Sequence, residues 1–256
     1  RASRGAVLAL LMHVNMWLAG FDEANKISYY EATVKYGQQL VEQNEGAYSL
    51  VPLSQTKSLF RGGSSEGIFE IAQNLTYISG NEAFEYKAVF ANEVMCSVYN
   101  PSRLSPNLCY TYDFLTRIFP PADVDNRVQV WFDENIYSTL DGDGKEILKF
   151  ENPDVYNNEG DITANAGNQM VFRLADAILL YAEALAELGT DSGKACELLN
   201  RIRARAGASA LSLSGSNLKD AIYWERVREL IGEGHYFYDL VRTGKVCDNR
   251  YCYHPI

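Results

Sequence analysis

Apolar residues recur at three- and four-residue steps at both ends of the chain and lose that rhythm in between. Near the start, Val7, Leu10, Leu11, Val14, Trp17, Leu18 and Phe21 keep helical spacing. They predict an amphipathic helix that buries this stripe, with Gly20 and Asp22 marking its end. A second helix is predicted over residues 28–43, with Tyr29, Ala32, Tyr36 and Leu40 on one face. Ser28 is its candidate N-cap and Gly46 lies just beyond its end. Two such antiparallel helices have the form of one tetratricopeptide unit.

Residues 51–168 have a different character. Gly62-Gly63, Pro101, Pro106, Pro120-Pro121 and Asp141-Gly142-Asp143-Gly144 break the segment into short pieces. Short strands are predicted at residues 68–72 and 128–132, a helix at residues 81–96, and a hairpin over residues 136–150 that turns on the Asp-Gly pair.

Helical spacing returns at Gln169. Val171, Leu174, Ile178, Tyr181, Ala182 and Leu185 form one stripe that ends at Gly189. Asp191 or Ser192 caps the next helix, which repeats Ala195, Leu198, Leu199 and Ile202 and closes at Gly207. A third opens at Ser216, and a short fourth runs from Tyr236 to a stop at Gly244. Helix, short break, helix is the pattern of a solenoid. The expected fold is therefore mainly α, a tetratricopeptide-like superhelix with a loop-rich, hairpin-containing excursion. It is expected as one domain: a helical pair over residues 1–50, a loop-rich segment over 51–170, and helical repeats over 171–256.

Composition narrows the function. The 256 residues carry a net charge of −10, which argues against nucleic acid and anionic membrane surfaces as partners. Tyrosine is abundant, 17 against 11 Phe, and a ring with a hydroxyl tip suits amphipathic ligands such as sugars as well as helical packing. Cys96, Cys109, Cys196, Cys247 and Cys252 contain no Cys-x-x-Cys pair and have no histidine set nearby in sequence, so no zinc site is expected; Cys247 with Cys252 is the local disulfide candidate. Residues 1–20, with two Arg before an apolar run, have the outline of a signal peptide, but His13 and Asn15 interrupt the run and a core helix is the preferred reading.

Several segments resemble the SusD/RagB family. Phe172-Arg173-Leu174-Ala175-Asp176-Ala177-Ile178-Leu179-Leu180-Tyr181-Ala182-Glu183-Ala184 is similar to its R-x-A-E-x-L-L-x-Y-A-E-A helix. Leu199-Asn200-Arg201-Ile202-Arg203-Ala204-Arg205-Ala206-Gly207 resembles L-N-x-x-R-x-R-A-G. Glu225-Arg226-Val227-Arg228-Glu229-Leu230, Gly232-Glu233-Gly234-His235 and Asp239-Leu240-Val241-Arg242 resemble the closing E-R-x-x-E-L, G-E-G and D-L-x-R elements. Upstream, Asp125-Asn126-Arg127 stands where the family has D-x-R, and Ser3-Arg4-Gly5-Ala6 resembles a helix opening; Tyr253-His254-Pro255-Ile256 resembles the start of a terminal P-I-P stretch. Tyr236 departs from the pattern, which has Arg there.

The resemblance implies a surface-exposed outer-membrane lipoprotein of a Gram-negative bacterium that binds a glycan or other nutrient without chemistry. Its implied partner is a SusC-like TonB-dependent transporter, and membrane association would come only through a lipid anchor upstream of these residues. Neither a metal nor a cofactor is implied.

Glu225, Glu229 and Glu233 stand at four-residue steps, where like charges repel by a few tenths of a kcal/mol per pair. If buried they need cations, for which Arg173, Arg203, Arg226 and Arg242 are candidates; a structural ion-pair network is expected rather than catalytic acids. Asp141-Gly142-Asp143-Gly144 fails the EF-hand pattern, with Lys145 at the fifth position and Glu146 in place of the sixth-position glycine. Asp133 and Glu134 are adjacent, a poor arrangement for paired acids of glycoside hydrolysis. His13, His235 and His254 have no nucleophile or ligand partner at an informative spacing, and His13 is expected to be structural.

Ligand contact is expected in the loop-rich middle, since repeats build scaffold and loops carry recognition. Tyr99, Asn100, Arg103, Tyr110, Tyr112 and Trp131 are the candidates: rings for the C–H face of a sugar, amide and guanidinium for its hydroxyls. The rival functions are a tetratricopeptide-type peptide adaptor and, behind it, a glycoside hydrolase.

Overall fold

The computed structural model describes residues 3–72, 110–132, 135–139, 144–145, 147–150, 153–156, 162–165 and 168–252. The predicted helix over residues 81–96 lies outside them. The chain divides into two compact units, one formed by residues 1–50 and 172–256 and the other by residues 51–171.

The first unit is built from helices. They are α1 (Arg4–Ala19), α2 (Lys26–Gly37), α6 (Leu174–Leu188), α7 (Ser192–Arg205), α8 (Gly215–Glu229) and α9 (Tyr236–Arg242). The second contains α3 (Thr56–Arg61), α4 (Tyr112–Ile118), α5 (Arg127–Trp131) and short strands.

Helix α6 is the centre of the first unit and packs against α1, α2, α7 and α8. Every residue from Leu174 to Ala186 is buried, because neighbouring helices cover several sides of this one, its acids Asp176 and Glu183 included. It ends at Gly189, whose φ of +67° gives the left-handed turn that a side chain would disfavour. Asp191 caps α7, accepting a hydrogen bond from the Lys194 N–H at 2.8 Å.

The face of α1 is opposite to the one its large residues predict. Gly5, Ala6, Leu8, Ala9, Met12, Met16 and Ala19 are buried. Val7, Leu10, Val14, Trp17, Leu18 and Phe21 are exposed, Leu10 at 52% and Phe21 at 60%. Helix α1 is apolar on both faces, and packing against α2 and α6 takes the face on which Gly5, Ala6, Ala9 and Ala19 alternate with Leu8, Met12 and Met16. Helix α2 is displaced by one residue. It buries Tyr30, Thr33 and Gly37 where Tyr29, Ala32 and Tyr36 were expected, and Asn25, not Ser28, occupies its N-cap position. A side-chain carbon on Gly37 would lie 2.7 Å from Cγ of Tyr181, so glycine is what lets α2 approach α6. A π-helical turn, Gln38–Glu42, then brings Leu40 and Val41 back to the core.

In the second unit the strand β1 (Gly67–Ile71) pairs with β6 (Gln169–Arg173). Strands β2 (Tyr110–Thr111) and β3 (Gly144–Lys145) pair antiparallel, as do β4 (Pro153–Tyr156) and β5 (Ile162–Asn165). The predicted strand at 128–132 is instead α5. The Asp125 carboxylate accepts from the Arg127 N–H at 3.0 Å and from its guanidinium at 2.9 and 2.6 Å, fixing a helical turn in which Val130 N–H reaches the Asn126 carbonyl. The predicted hairpin over 136–150 is also revised: Ile136 lies in a turn, Ile147 bridges to Phe132, and Gly144–Lys145 pairs with β2. Cys196, Cys247 and Cys252 are free thiols, so the Cys247–Cys252 disulfide does not form.

Candidate functional site

Two buried acids on α6 organise the first unit. Asp176 and Glu183 are seven residues apart and therefore share one face of the helix. Arg226 on α8 donates to Asp176 Oδ1 at 3.0 Å, and Arg242 on α9 grips both Glu183 oxygens at 2.6 and 2.8 Å. Asp239 lies between the two guanidiniums, accepting from Arg226 Nε at 3.0 Å and Arg242 Nε at 2.9 Å. Burial opposes the charge on Asp239, but Arg226 and Arg242 beside it hold its pKa down at about 2. Burial acts against Asp176 in the same way, and His13, His235 and Arg226 hold it well below the usual carboxylate range.

The three glutamates of the closing segment are buried or nearly so and meet other arginines. Arg173 donates to Glu229 Oε1 at 2.8 Å and to Glu233 at 2.7 and 2.6 Å. Arg203 reaches Glu225 at 3.1 Å, and Arg205 pairs with Glu229. Of the expected cations, Arg173 and Arg203 serve these glutamates, while Arg226 and Arg242 serve Asp176, Asp239 and Glu183 instead. Arg205 was missed. Tyr236, at the position where the pattern has Arg, donates its hydroxyl to the Tyr251 carbonyl at 2.7 Å.

Long-range folding brings together a further group that spacing gave no means to find. His13 Nε2 lies 2.6 Å from Asp176 Oδ2, and the rings of His13 and His235 stack with centroids 5.6 Å apart. Burial lowers the pKa of His235 below its ordinary value.

A cleft of about 320 Å³ opens beside Glu183 and Arg242, lined by Lys26, Tyr30, Glu187, Lys219, Tyr223 and Lys245 among others. Its volume lies within the range of small-molecule sites. The Tyr223 hydroxyl is buried without a hydrogen-bond partner, and the Lys245 ammonium lies 5.3 Å from the centre of its ring. Elsewhere on this unit the exposed rings of Trp17, Phe21, Phe237 and Tyr238 adjoin one another, Trp17 with Phe21 at 4.9 Å and with Tyr238 at 6.0 Å.

Of the residues expected to contact ligand, Tyr99, Asn100 and Arg103 lie outside the described residues. Tyr110 in β2 and Tyr112 at the start of α4 are half-buried, and Tyr110 stacks on Phe114 at 5.7 Å. Trp131 is 1% exposed. Its indole N–H donates to Thr56 at 3.1 Å, and the Lys149 ammonium lies 4.2 Å from its ring centre, among Phe60 and Phe150. With no ring face open, Trp131 leaves the candidate set and becomes a core residue.

Among the described residues no helix is long and apolar enough to cross a membrane. Residues 143–253 match the model of the SusD family. A SusD homologue from Bacteroides thetaiotaomicron is 54% identical over the whole of this chain, with a TM-score of 0.87, and the chain covers 54% of that protein. A SusD-like protein of Formosa agariphila is 39% identical over 89 residues, 33% of this chain and 17% of the relative. A SusD-like carbohydrate binding protein from Bacteroides vulgatus shares the fold at 21% identity and a TM-score of 0.65, covering 94% of this chain and 45% of that one. The chain thus spans about half the length of the solved relatives it matches. The helical, tetratricopeptide-like architecture, the family match over 143–253 and the high identity across all 256 residues agree, and the chain belongs to the SusD family.

Proposed function

We propose that this protein captures an oligosaccharide at the outer surface of a Gram-negative bacterium and passes it to a SusC-like TonB-dependent transporter, performing no chemistry itself. The observation that carries the reading is the 54% identity to a SusD homologue over the whole chain. A solved relative described as carbohydrate binding supports the ligand class. Anchoring at the outer membrane through an N-terminal lipid belongs to the same proposal. In this reading the helical unit is scaffold, and its exposed aromatic face on α1 and α9 is the surface offered to the transporter.

The ligand is proposed to meet Tyr110 and Tyr112 together with Tyr99, Asn100 and Arg103. Rings at these positions would cover C–H faces while hydroxyls, amide and guanidinium hydrogen-bond the sugar. Calorimetric screening of polysaccharides against the chain tests this. Binding that disappears in the Tyr110→Ala/Tyr112→Ala double variant supports the site. Binding kept there but lost in Tyr223→Phe moves the ligand to the cleft beside Arg242. Silence across all glycans, with tight binding of peptides, overturns the capture reading in favour of an adaptor.

A further inference from the structure

We propose that His13, Asp176 and His235 form a binding site for a divalent transition-metal ion of the zinc class. Each contributes one ligand atom, and these atoms all lie within 4.8 Å of one another. Ligand atoms of a tetrahedral zinc, at bonds of about 2.0–2.2 Å, stand roughly 3.3–3.5 Å apart, so small side-chain rotations complete the geometry. Two imidazoles and one carboxylate are a donor set suited to such an ion, with the remaining position left for water.

Charge points the same way. Asp176, Glu183 and Asp239 are three carboxylates linked through two guanidiniums, Arg226 and Arg242. One negative charge is left over in this buried group, and Asp176, at the end of the chain of pairs, is the acid that faces the two imidazoles. The His235 ring makes no hydrogen bond to any described residue, although it stacks on His13 beside the carboxylate. A nitrogen lone pair of His235 is therefore available to an ion.

Arg226 holds Asp176 Oδ1 at 3.0 Å and leaves Oδ2 directed at His13. It thereby orients the ligand oxygen as outer partners of metal sites do, while Asp239 on its far side offsets its repulsion of the ion. Entry is open, since the His13 side chain is 25% exposed. Binding leaves His13 neutral: the ring carries its proton on Nδ1 and gives the Nε2 lone pair to the ion, which replaces the hydrogen bond to Asp176. Phe172, stacked on His13 at 4.9 Å, keeps the ring in this plane.

The test is calorimetric titration of the 256-residue chain with zinc chloride near neutral pH, beside Cys247→Ser, His13→Gln and His235→Ala. The expected result is one equivalent bound by the wild type and by Cys247→Ser, with affinity reduced about tenfold or more in both histidine variants. His13→Gln retains a donor toward Asp176, so its melting temperature without zinc stays near that of the wild type and separates loss of a ligand from loss of the fold. Zinc should also raise the melting temperature of the wild type and not of His235→Ala. Two results overturn the proposal: no uptake by the wild type, which leaves His13 as a proton-bearing partner of Asp176 alone, or uptake that survives both histidine variants and disappears in Cys247→Ser.

Discussion

Between α6, α8 and α9, Arg226, Asp239 and Arg242 are buried, whereas along the outer side of α1 and α9, Leu10, Phe21, Phe237 and Tyr238 are each more than half exposed. The two regions belong to the same helical unit and reverse the usual placement of charged and apolar residues. The difference follows from partners. Each buried guanidinium meets carboxylates at 2.6–3.0 Å, so charge is exchanged for charge and the hydrogen bonds are satisfied. The outer side chains of α1 meet no such constraint, because the close approach to α2 and α6 is made by glycine, alanine and methionine on the other face. A contiguous apolar face of this kind marks a contact surface rather than a core.

The sharpest way to break the comparison is to leave one interior charge without its partner. Arg226→Ala strands Asp176 and Asp239 in the core, and should destabilise the chain by about 3–5 kcal/mol, or leave it unfolded. Urea denaturation followed by circular dichroism measures this. Arg226→Met removes the same charge but retains volume, and should be no less damaging, because the cost lies in the stranded carboxylates. If Arg226→Ala unfolds at the wild-type urea concentration, the interior network contributes nothing to stability.

Acid sharpens the same point without mutation. Asp239 has a pKa of about 2 in the fold against 3.8 ordinarily, because Arg226 and Arg242 outweigh its burial. A pKa lowered by folding means that the unfolded chain binds the proton more readily, so the contribution is present above about pH 4 and is lost as pH falls toward 2. The melting temperature should therefore decline steeply over that interval. Asp239→Asn should start lower and decline less.

How much of this was legible depends on how far apart the partners lie. The helices around Gln169 to Gly244 were readable because period, caps and family motifs agree over short distances. The glutamates at 225, 229 and 233 announced a need for cations, and Arg173 and Arg203 were found. The pairing of Arg226 with Asp176 was not, since nothing local distinguishes one arginine of the E-R-x-x-E segment from another. His13 and Asp176 stand 163 positions apart, and only the packing of α1 on α6 joins them. In the second unit, residues 128–132 are predicted as a short strand, but the bonds from Arg127 to Asp125 turn the segment into α5. Trp131 looked like a sugar platform because aromatic residues in loop-rich segments serve both roles, and only its contacts with Thr56 and Lys149 decide between them.

The inward face of α1 allows a finer test. Ala9 is 2% exposed and belongs to the close-packed side, so Ala9→Leu forces extra volume into a filled contact. Overpacking of this sort costs about 1–3 kcal/mol. Gly37→Ala should act in the same direction, since the new carbon would lie 2.7 Å from the Tyr181 ring on α6. Thermal melting of both variants checks the expectation; wild-type melting temperatures would mean that α1 and α2 do not pack as closely as described.

The smallest effect is expected one position away. Leu10 is 52% exposed, and Leu10→Ser should change stability by no more than about 0.5 kcal/mol, although the same residue read as core would cost several times more. Combined with Phe21→Ser, it should lower the binding of a hydrophobic dye and reduce self-association in sedimentation, because the apolar face shrinks while the fold remains. A large loss of stability in Leu10→Ser, with Ala9→Leu tolerated, would return the helix to the orientation its large residues suggest. The pair of neighbouring positions therefore decides the matter: which of two adjacent residues hurts when changed tells which way α1 faces, independently of what covers its outer side.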